Sequence, residues 1–265
     1  MPTILPIRKR LHGKMGYDII CDEAFPENPA GIVIAMHGFA GDRTSRAIAL
    51  LRSAVTERGF GIISFDWPAH GESPTDELSV RACLSDLETV VTSVKGRYPG
   101  LPLTAFGTSF GGYLTLLYHH LHPGTFGKVI LRAPAIRMYH SLRQNIMSAE
   151  DLAALDRDGS YRFGYERILT VTRDFLAELQ TNDLDRLYGD RPCPEIFIIH
   201  GTADEIAPFE YSRDFSQRHG SELYPIDGAG HRFLNPGELP EVIDRAVSIL
   251  NLCDRHPQAG NGTSG

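Results

Sequence analysis

A serine in a glycine-flanked turn is the residue of this chain best suited to nucleophilic chemistry. Ser109 lies in a Gly-x-Ser-x-Gly sequence at 107–111, between a short apolar run and an apolar pattern with helical spacing. A strand, a very sharp turn and a helix in this order form a nucleophile elbow, which lifts the serine hydroxyl clear of the sheet. The serine then lies at a helix N-terminus, where backbone N–H groups can meet a developing negative charge. The pattern therefore predicts Ser109 as a nucleophile.

A nucleophilic serine needs a base and an acid that orients the base, and both are found further along the chain. Asp204 and His231 each follow a predicted buried strand by a few residues, on a turn rich in small residues. The order serine, aspartate, histidine is the one that this elbow pattern requires. We expect His231 to take the Ser109 proton and return it to the leaving group, and Asp204 to fix the tautomer of His231 and stabilise its imidazolium form.

Other acids and histidines compete for these roles. Glu205 is adjacent to Asp204, and Asp227 is closer in sequence to His231, but Asp204 fits the spacing better and Asp227 is expected to serve its own turn. A role near the site is considered for His70, in a loop after a strand, although a structural one is favoured. The remaining candidate histidines are expected to be structural, packing or surface groups: His37, His119, His120, His122 and His200.

Acyl transfer also requires two donors aimed at the oxygen of the tetrahedral intermediate. The residue after the nucleophile, Phe110, supplies one backbone N–H. The loop after the strand at 31–36 reads His37-Gly38-Phe39-Ala40-Gly41, and its glycines let it bend inward. We assign the second donor to the Phe39 N–H.

The elements that must position these residues alternate strictly between strand and helix. Continuous apolar runs of four to six residues predict strands buried on both faces of a parallel sheet. Two short antiparallel strands are predicted first, at 3–10 and 16–22. The alternating strands follow at 31–36, 61–65, the run before the elbow, 128–132, 195–199 and 221–226, and the predicted helices are 44–57, 76–97, the one after Ser109, 209–219 and 238–251. This alternation predicts an α/β fold with right-handed crossovers.

The alternation breaks at Ala133-Pro134, and about 60 residues pass before the next buried strand. We expect 1–133 and 193–253 to form the core, 134–192 a helical cap with helices near 140–156 and 164–181, and 254–265 a disordered tail. Because the cap must fold over the carboxyl ends of the strands, we expect it to set the substrate. Phe39, Tyr139 and Tyr165 are the candidate pocket residues, among six cap aromatics: Tyr139, Tyr161, Phe163, Tyr165, Phe175 and Tyr188.

Composition excludes several classes of partner. The net charge is −7 and no basic stripe occurs, which argues against nucleic acid. No apolar run approaches the ~18 residues of a membrane helix. The first residues carry no secretion signal, so the cytoplasm is the expected location. The cysteines are far apart, which predicts reduced thiols and no metal site: Cys21, Cys83, Cys193 and Cys253.

Taken together, these motifs resemble the α/β-hydrolase superfamily from about residue 30 to 250. The match rests on the loop 37–39, the stretch 66–73, the elbow, Asp204 and Gly230-His231. The His-Gly-Phe-x-Gly loop, the His-Gly-x-x-Asp-Glu stretch and the short cap resemble compact-cap bacterial esterases, including feruloyl and cinnamoyl esterases. That group often has histidine and glutamine beside the serine, where this chain has Thr108 and Phe110.

The resemblance implies a serine hydrolase that cleaves small carboxylic esters through an acyl-enzyme, without cofactor or metal. Thioesterase, acyltransferase and aminopeptidase activities stay open, because the same triad serves all of them. A non-enzymatic ligand receptor on this fold is the alternative from another class. The oligomeric state is not determined by the sequence.

Overall fold

In the computed structural model, residues 4–164 and 167–252 are described. Their main feature is an eight-stranded sheet, whose strands are β1 (Ile7–His12), β2 (Asp18–Ala24), β3 (Ile32–Met36), β4 (Gly61–Phe65), β5 (Leu103–Thr108), β6 (Lys128–Arg132), β9 (Ile196–Gly201) and β10 (Glu222–Ile226). Strands β1 and β2 pair antiparallel, as do β2 and β4, and all other neighbours are parallel. The eight strands lie side by side in the order β1-β2-β4-β3-β5-β6-β9-β10.

Helices cover both faces of this sheet, as the buried apolar strands require. One face carries α1 (Arg46–Thr56) and α9 (Glu238–Leu250), which share a hydrophobic cluster. The other face carries α2 (Val80–Arg97), α3 (Phe110–Leu121) and α8 (Phe209–His219). The predicted α/β fold with a mostly parallel sheet is confirmed.

Residues 134–192, here called the insertion, leave the sheet after β6 and return before β9. They form α4 (Met138–Ser141), a π-helical turn (Leu142–Ile146), α5 (Ala149–Asp158), β7 (Ser160–Phe163), β8 (Leu169–Thr172), α6 (Arg173–Thr181) and α7 (Leu184–Tyr188). The predicted helix over 164–181 is wrong in its first part, because β7 and β8 pair as an antiparallel hairpin. The alternation in Leu169-Thr170-Val171-Thr172, with three β-branched residues, favours a strand there.

The insertion shares its apolar side chains with the core of the main domain. Phe175, Val171 and Leu155 belong to the same cluster as residues of α2 and α3. The Tyr188 hydroxyl donates to the Leu116 carbonyl at 2.9 Å. The guanidinium of Arg167 binds the loop after β4, with Nη1 donating to the carbonyls of Gly71 and Ser73 and Nη2 to that of Thr75. Polar as well as apolar contacts therefore hold the insertion to the core.

Two further boundaries differ from the prediction. Among the described residues the first strand begins at Ile7, whereas the predicted strand began earlier; its pairing with β2 starts at Ile7 opposite Glu23. Helix α2 begins at Val80 and not at 76, because the Ser79 side chain caps it by accepting from the Ala82 N–H. The predicted tail, Cys253 and Tyr165 lie outside the described residues. Among the described helices, none combines the length and the apolar character needed to cross a membrane.

Candidate active site

The sharp turn at Ser109 is built by close backbone packing on both sides. A Cβ at Gly111 would lie 2.7 Å from the Met36 carbonyl oxygen, and one at Gly107 would lie 2.8 Å from the Gly111 carbonyl oxygen. Any side chain at these positions would therefore push strand and helix apart. Ser109 itself has φ 53° and ψ −114°, a strained conformation for a residue with a side chain. The turn leaves Ser109 half-buried at the first turn of α3.

Ser109, His231 and Asp204 are joined in one chain of hydrogen bonds. Ser109 Oγ lies 2.9 Å from His231 Nε2, and His231 Nδ1 lies 2.7 Å from Asp204 Oδ2. The three residues follow β5, β10 and β9, whose carboxyl ends meet at one edge of the sheet. With Nδ1–H donating to Asp204, the free Nε2 lone pair faces the serine hydroxyl, which is the geometry that a general base needs.

The Asp204 carboxylate is fully buried and fully hydrogen-bonded. Its Oδ1 accepts from the N–H groups of Ile206 and Ala207 at 2.9 and 2.8 Å, and His200 Nε2 lies 3.0 Å from Oδ2. Burial alone would raise the pKa of Asp204, but the hydrogen bonds from His200 and His231 outweigh it and hold this pKa well below its usual range. The aspartate is therefore ionised and fixed when it faces His231.

His200 is a structural partner of Asp204, and this contact was not predicted from the sequence. Its Nδ1 lies 2.7 Å from the Ser212 hydroxyl, and its Nε2 also faces the Ala207 carbonyl at 2.8 Å. The spacing of four residues from Asp204 on a strand end and turn is the signal that could have found it. The prediction that His200 is a hydrogen-bonding group and not the base agrees with these contacts.

The loop after β3 lies directly against the elbow. A Cβ at Gly38 would lie 3.3 Å from Ser109 Cβ, and Ala40 has a left-handed φ of 55°. Within the described residues, neither the Phe39 N–H nor the Phe110 N–H donates to a protein acceptor. Two backbone donors beside the serine without a partner are what a developing oxyanion needs.

His37 and His70 support this loop as neutral rings. His37 accepts from the Trp67 N–H at 3.1 Å and donates from Nδ1 to the Gly38 carbonyl at 2.8 Å, and burial lowers its pKa to about 4. His70 donates from Nδ1 to the Pro68 carbonyl at 2.8 Å, and burial lowers its pKa to about 3. Neither ring bonds Ser109, so the structural role predicted for them agrees with the contacts.

An aromatic cluster lies between the loop after β3 and the insertion. The Phe39 ring centroid is 5.7 Å from that of Phe110 and 5.5 Å from that of Phe163, and it stacks on Phe175 at 6.5 Å. Tyr139 makes no ring contact with these phenylalanines: its hydroxyl accepts from Arg143 Nη1 at 2.8 Å, and the guanidinium covers its ring. Of the predicted pocket residues Phe39 and Tyr139, Phe39 belongs to this cluster and Tyr139 does not; Phe163 and Phe175 are its members from the insertion.

The competing acids are placed apart from the triad. Asp227 accepts from the Thr202 hydroxyl at 3.2 Å, as expected for a residue that serves its own turn. Glu205 is exposed and makes no hydrogen bond to His231 in the described structure.

One group of described residues has ligand atoms close enough for a metal ion: His119, Cys193 and Glu195, whose atoms lie within 4.8 Å of one another. It lies at the amino end of β9, at the opposite edge from Ser109. His119 Nε2 is already 3.0 Å from Glu195, and its buried Nδ1 has no partner. A metal-bound imidazole normally donates its second N–H to an acceptor, so these residues fit a metal poorly.

Comparison with known proteins agrees with this fold. A family model described as serine aminopeptidase, S33, matches residues 27–157. Est1E from Butyrivibrio proteoclasticus, solved with ferulic acid, is 19% identical with a TM-score of 0.77, and the match covers 91% of this chain and 97% of that one. A putative hydrolase from Agrobacterium vitis is also 19% identical, with a TM-score of 0.75, and the match covers 93% of this chain and 98% of that one. The chain has the fold of the α/β hydrolases.

Curated relatives extend the likeness along the sequence. Monoacylglycerol lipase from Mycolicibacterium smegmatis is 23% identical over 268 residues, covering 90% of this chain and 94% of that protein. Human monoglyceride lipase is 29% identical over 113 residues, covering 41% of this chain and 36% of that protein.

Proposed function

We propose that this chain is a serine carboxylesterase in which Ser109 is the nucleophile, His231 the general base and Asp204 its orienting acid. The observation that carries the proposal is the hydrogen-bonded chain from Ser109 Oγ through His231 to Asp204. The curated relatives named as monoacylglycerol lipases support ester hydrolysis as the reaction.

In the acylation step, Ser109 Oγ attacks the ester carbonyl carbon while its proton moves to His231 Nε2. The carbonyl π-electrons move to the oxygen, which becomes an oxyanion and accepts hydrogen bonds from the Phe39 and Phe110 N–H groups. The tetrahedral intermediate then collapses, the C–O bond to the alcohol breaks, and His231 returns the proton to the departing alcohol. Ser109 is left as an acyl ester.

In the deacylation step, His231 removes a proton from water, and the resulting hydroxide attacks the acyl carbon. The same two N–H groups stabilise the second oxyanion. Collapse breaks the bond to Ser109 Oγ, which takes the proton back from His231, and the carboxylic acid leaves. Throughout the cycle Asp204 stays ionised, as its depressed pKa requires, and stabilises the imidazolium form of His231.

The preferred substrates are esters with an apolar acyl group, and monoacylglycerols are the first class to test. The aromatic cluster lies beside the nucleophile: its half-buried members Phe39 and Phe163 offer apolar surface, and the buried rings of Phe110 and Phe175 pack behind Phe39. Matching a methylene in such a surface is worth about 1–3 kcal/mol, so selection by acyl length is graded. We infer that the insertion acts as a cap that sets this preference through Phe163.

The decisive variant is Ser109→Ala, which we expect to lower kcat for p-nitrophenyl esters and monoacylglycerols by about 10⁴-fold or more. Ser248→Ala, on the exposed side of α9, is the matched control and should keep full activity. A fluorophosphonate should label the parent protein at Ser109, identified by peptide mass spectrometry. Full activity in Ser109→Ala, or labelling of another serine, would contradict the assignment.

The cap hypothesis is tested by Phe163→Ala against Tyr139→Ala. Phe163 contacts Phe39 beside the site, whereas Tyr139 pairs with Arg143. We expect Phe163→Ala to shift the acyl-length preference of kcat/KM while turnover of an acetate ester stays within a few-fold. Tyr139→Ala should leave the profile of the parent. An unchanged profile in Phe163→Ala would show that the core forms the pocket.

A further inference from the structure

Arg132 is a buried arginine that contacts the loop carrying His231 (residues 227–237, here called the histidine loop), and no carboxylate of the described residues contacts its guanidinium. Arg132 is the last residue of β6 and is only 7% exposed. Its backbone carbonyl accepts from the Ser109 N–H at 3.0 Å, so its main chain is fixed directly beside the elbow. Its position at the carboxyl edge of the sheet directs the side chain to the same region as the triad.

The guanidinium of Arg132 contacts the two residues that follow His231. Its Nη2 donates to the Arg232 carbonyl at 3.0 Å, and its Cζ lies 4.8 Å from the centroid of the Phe233 ring. Phe233 has a left-handed φ of 55°, a conformation that costs energy in a residue with a side chain. The arginine therefore holds a strained turn at the point where the chain leaves His231.

Other contacts do not explain why a charge is buried at this position. Arg132 Nε has no hydrogen-bond partner among the described residues. Burial lowers the pKa of this guanidinium to about 10, and the nearby Asp204 charge opposes that effect only in part. An apolar side chain of similar length could fill the same volume, so fold stability gives little reason for an arginine.

The charge of Arg132 interacts with Asp204, the aspartate hydrogen-bonded to His231, since the Asp204 carboxylate acts to raise the pKa of Arg132. Around the histidine loop, the charged or titratable side chains besides Arg132 include His200, Asp204, Glu205, Arg232, Glu238 and the exposed Asp227. Glu205 and Arg232 are exposed and Glu238 is half-buried, so water screens them. Asp204 and Arg132 are the buried charges of opposite sign. A cation near an aspartate offsets part of the field that the aspartate exerts on an imidazole bonded to it.

We propose that Arg132 is a positioning residue for the triad: it fixes the turn after His231 and offsets part of the Asp204 charge, so that His231 stays unprotonated to lower pH. The role rests on the proposed function, because it concerns the availability of His231 as a base. It predicts an effect on protonation that a purely structural residue would not have.

The test compares three substitutions at Arg132 by the acid limb of the pH profile of kcat/KM. Arg132→Met removes the charge and the donor, Arg132→Gln keeps a donor, and Arg132→Lys keeps the charge. We expect the acid limb of kcat/KM to move to higher pH by about 0.5–1 unit in Arg132→Met and Arg132→Gln. In Arg132→Lys, which keeps the charge, the acid limb should stay at the pH of the parent. We also expect kcat of Arg132→Met at the pH optimum to fall about 10–100-fold, because the base is less well placed.

Arg232→Met is the matched control, since it removes one positive charge next to His231 but at an exposed position. Its acid limb should stay close to that of the parent. Histidine NMR on ¹⁵N-labelled protein, with the His231 signal assigned by its loss in His231→Gln, follows protonation without turnover. The NMR shift therefore decides the Arg132 role even if the protein hydrolyses no ester.

Neutral variants that fold, as judged by their melting temperature, and that keep the parent titration of His231 would overturn the proposal. So would a fall in kcat with an unchanged acid limb, since that result indicates a structural effect alone. If Arg132→Met does not fold, the comparison between the Gln and Lys variants decides the question in the same way.

Discussion

Two arginines are buried at the carboxyl edge of the sheet, and they are bound very differently. Arg43, in the loop after β3, is 1% exposed, and its guanidinium contacts the carboxylates of Asp22, Asp66 and Glu72. Arg132, at the end of β6, contacts a carbonyl and an aromatic ring. Burial alone would lower both pKa values, but the carboxylates raise the pKa of Arg43 above its usual range, whereas that of Arg132 stays lowered.

The difference separates a charge that holds the fold from one that acts on the site. Asp66 accepts from the Arg43 N–H at 2.8 Å and from the Glu72 N–H at 2.9 Å, so the ion pair closes the loop after β4 on itself. The loop after β4 also carries Trp67 and His70, which contact His37 and Phe39 in the loop after β3. A buried charge with full compensation thus stabilises a scaffold, and a buried charge without it is available to influence a neighbouring titration.

The largest effect on stability is expected from Arg43→Met. Removing one partner of a buried ion pair leaves Asp66 uncompensated, which costs about 3–5 kcal/mol in the free energy of unfolding. Arg132→Met should change this free energy by only about 1 kcal/mol, because no contacting carboxylate is left unpaired. Urea denaturation of both variants measures the difference, with exposed Arg46→Met as the control. Equal losses at Arg43 and Arg132 would remove the distinction between them.

Sequence patterns located the site because its residues follow strand ends. Short buried runs and the Gly-x-Ser-x-Gly turn carry local signals, and they led to Ser109, Asp204 and His231, which the structure brings together. Their catalytic roles, and the role of the cap, remain predictions. The hairpin in the insertion was missed because its apolar positions were assigned a helical period, although β-branched residues favour a strand.

Contacts between residues far apart in the chain could not be predicted, because a single sequence contains no local pattern that pairs them. Arg132 and the Arg232 carbonyl are 100 positions apart, and Arg43 and Asp66 are 23 apart. Backbone strain is equally hidden: among the described residues, every one with a left-handed φ and a side chain follows a strand at the site edge, namely Ala40, Ala69, Ser109, Ala133 and Phe233. Tertiary packing, and not local propensity, imposes these conformations.

A buried carboxylate that is poorly compensated gives a pH test of the same distinction. Asp86 in α2 is buried, its Oδ2 accepts from the Tyr17 hydroxyl at 3.0 Å, and its Oδ1 has no partner. Burial raises the pKa of Asp86 to about 7, and the Tyr17 hydrogen bond opposes this only in part. Between pH ~4 and ~7 the folded state keeps a proton that the unfolded state has lost, so this group's contribution to stability falls as pH rises through that range.

Asp86→Asn removes this titration. We expect the free energy of unfolding of the variant to gain about 2–4 kcal/mol relative to the parent between pH 4 and pH 8, as measured by urea denaturation at each pH. Asp244→Asn, at an exposed position on α9, should follow the parent at every pH. A constant difference between Asp86→Asn and the parent would mean that Asp86 is ionised and compensated, like the acids around Arg43.

The smallest effect is expected at the exposed end of the Arg43 network. Glu72 Oε1 lies 2.9 Å from Arg43 Nη2 and Oε2 lies 2.9 Å from Arg8 Nη1, but the Glu72 side chain is 55% exposed. Hydrogen bonds from Arg43 and Arg8 lower the pKa of Glu72, yet water and salt screen exposed pairs, which contribute about 0–1 kcal/mol. Glu72→Gln should therefore cost less than about 1 kcal/mol, and less still at 1 M salt. If Glu72→Gln instead lowers the free energy of unfolding as much as Arg43→Met does, and salt does not change this loss, the three carboxylates hold the loop as one unit. The contribution of each carboxylate to stability would then not depend on its exposure.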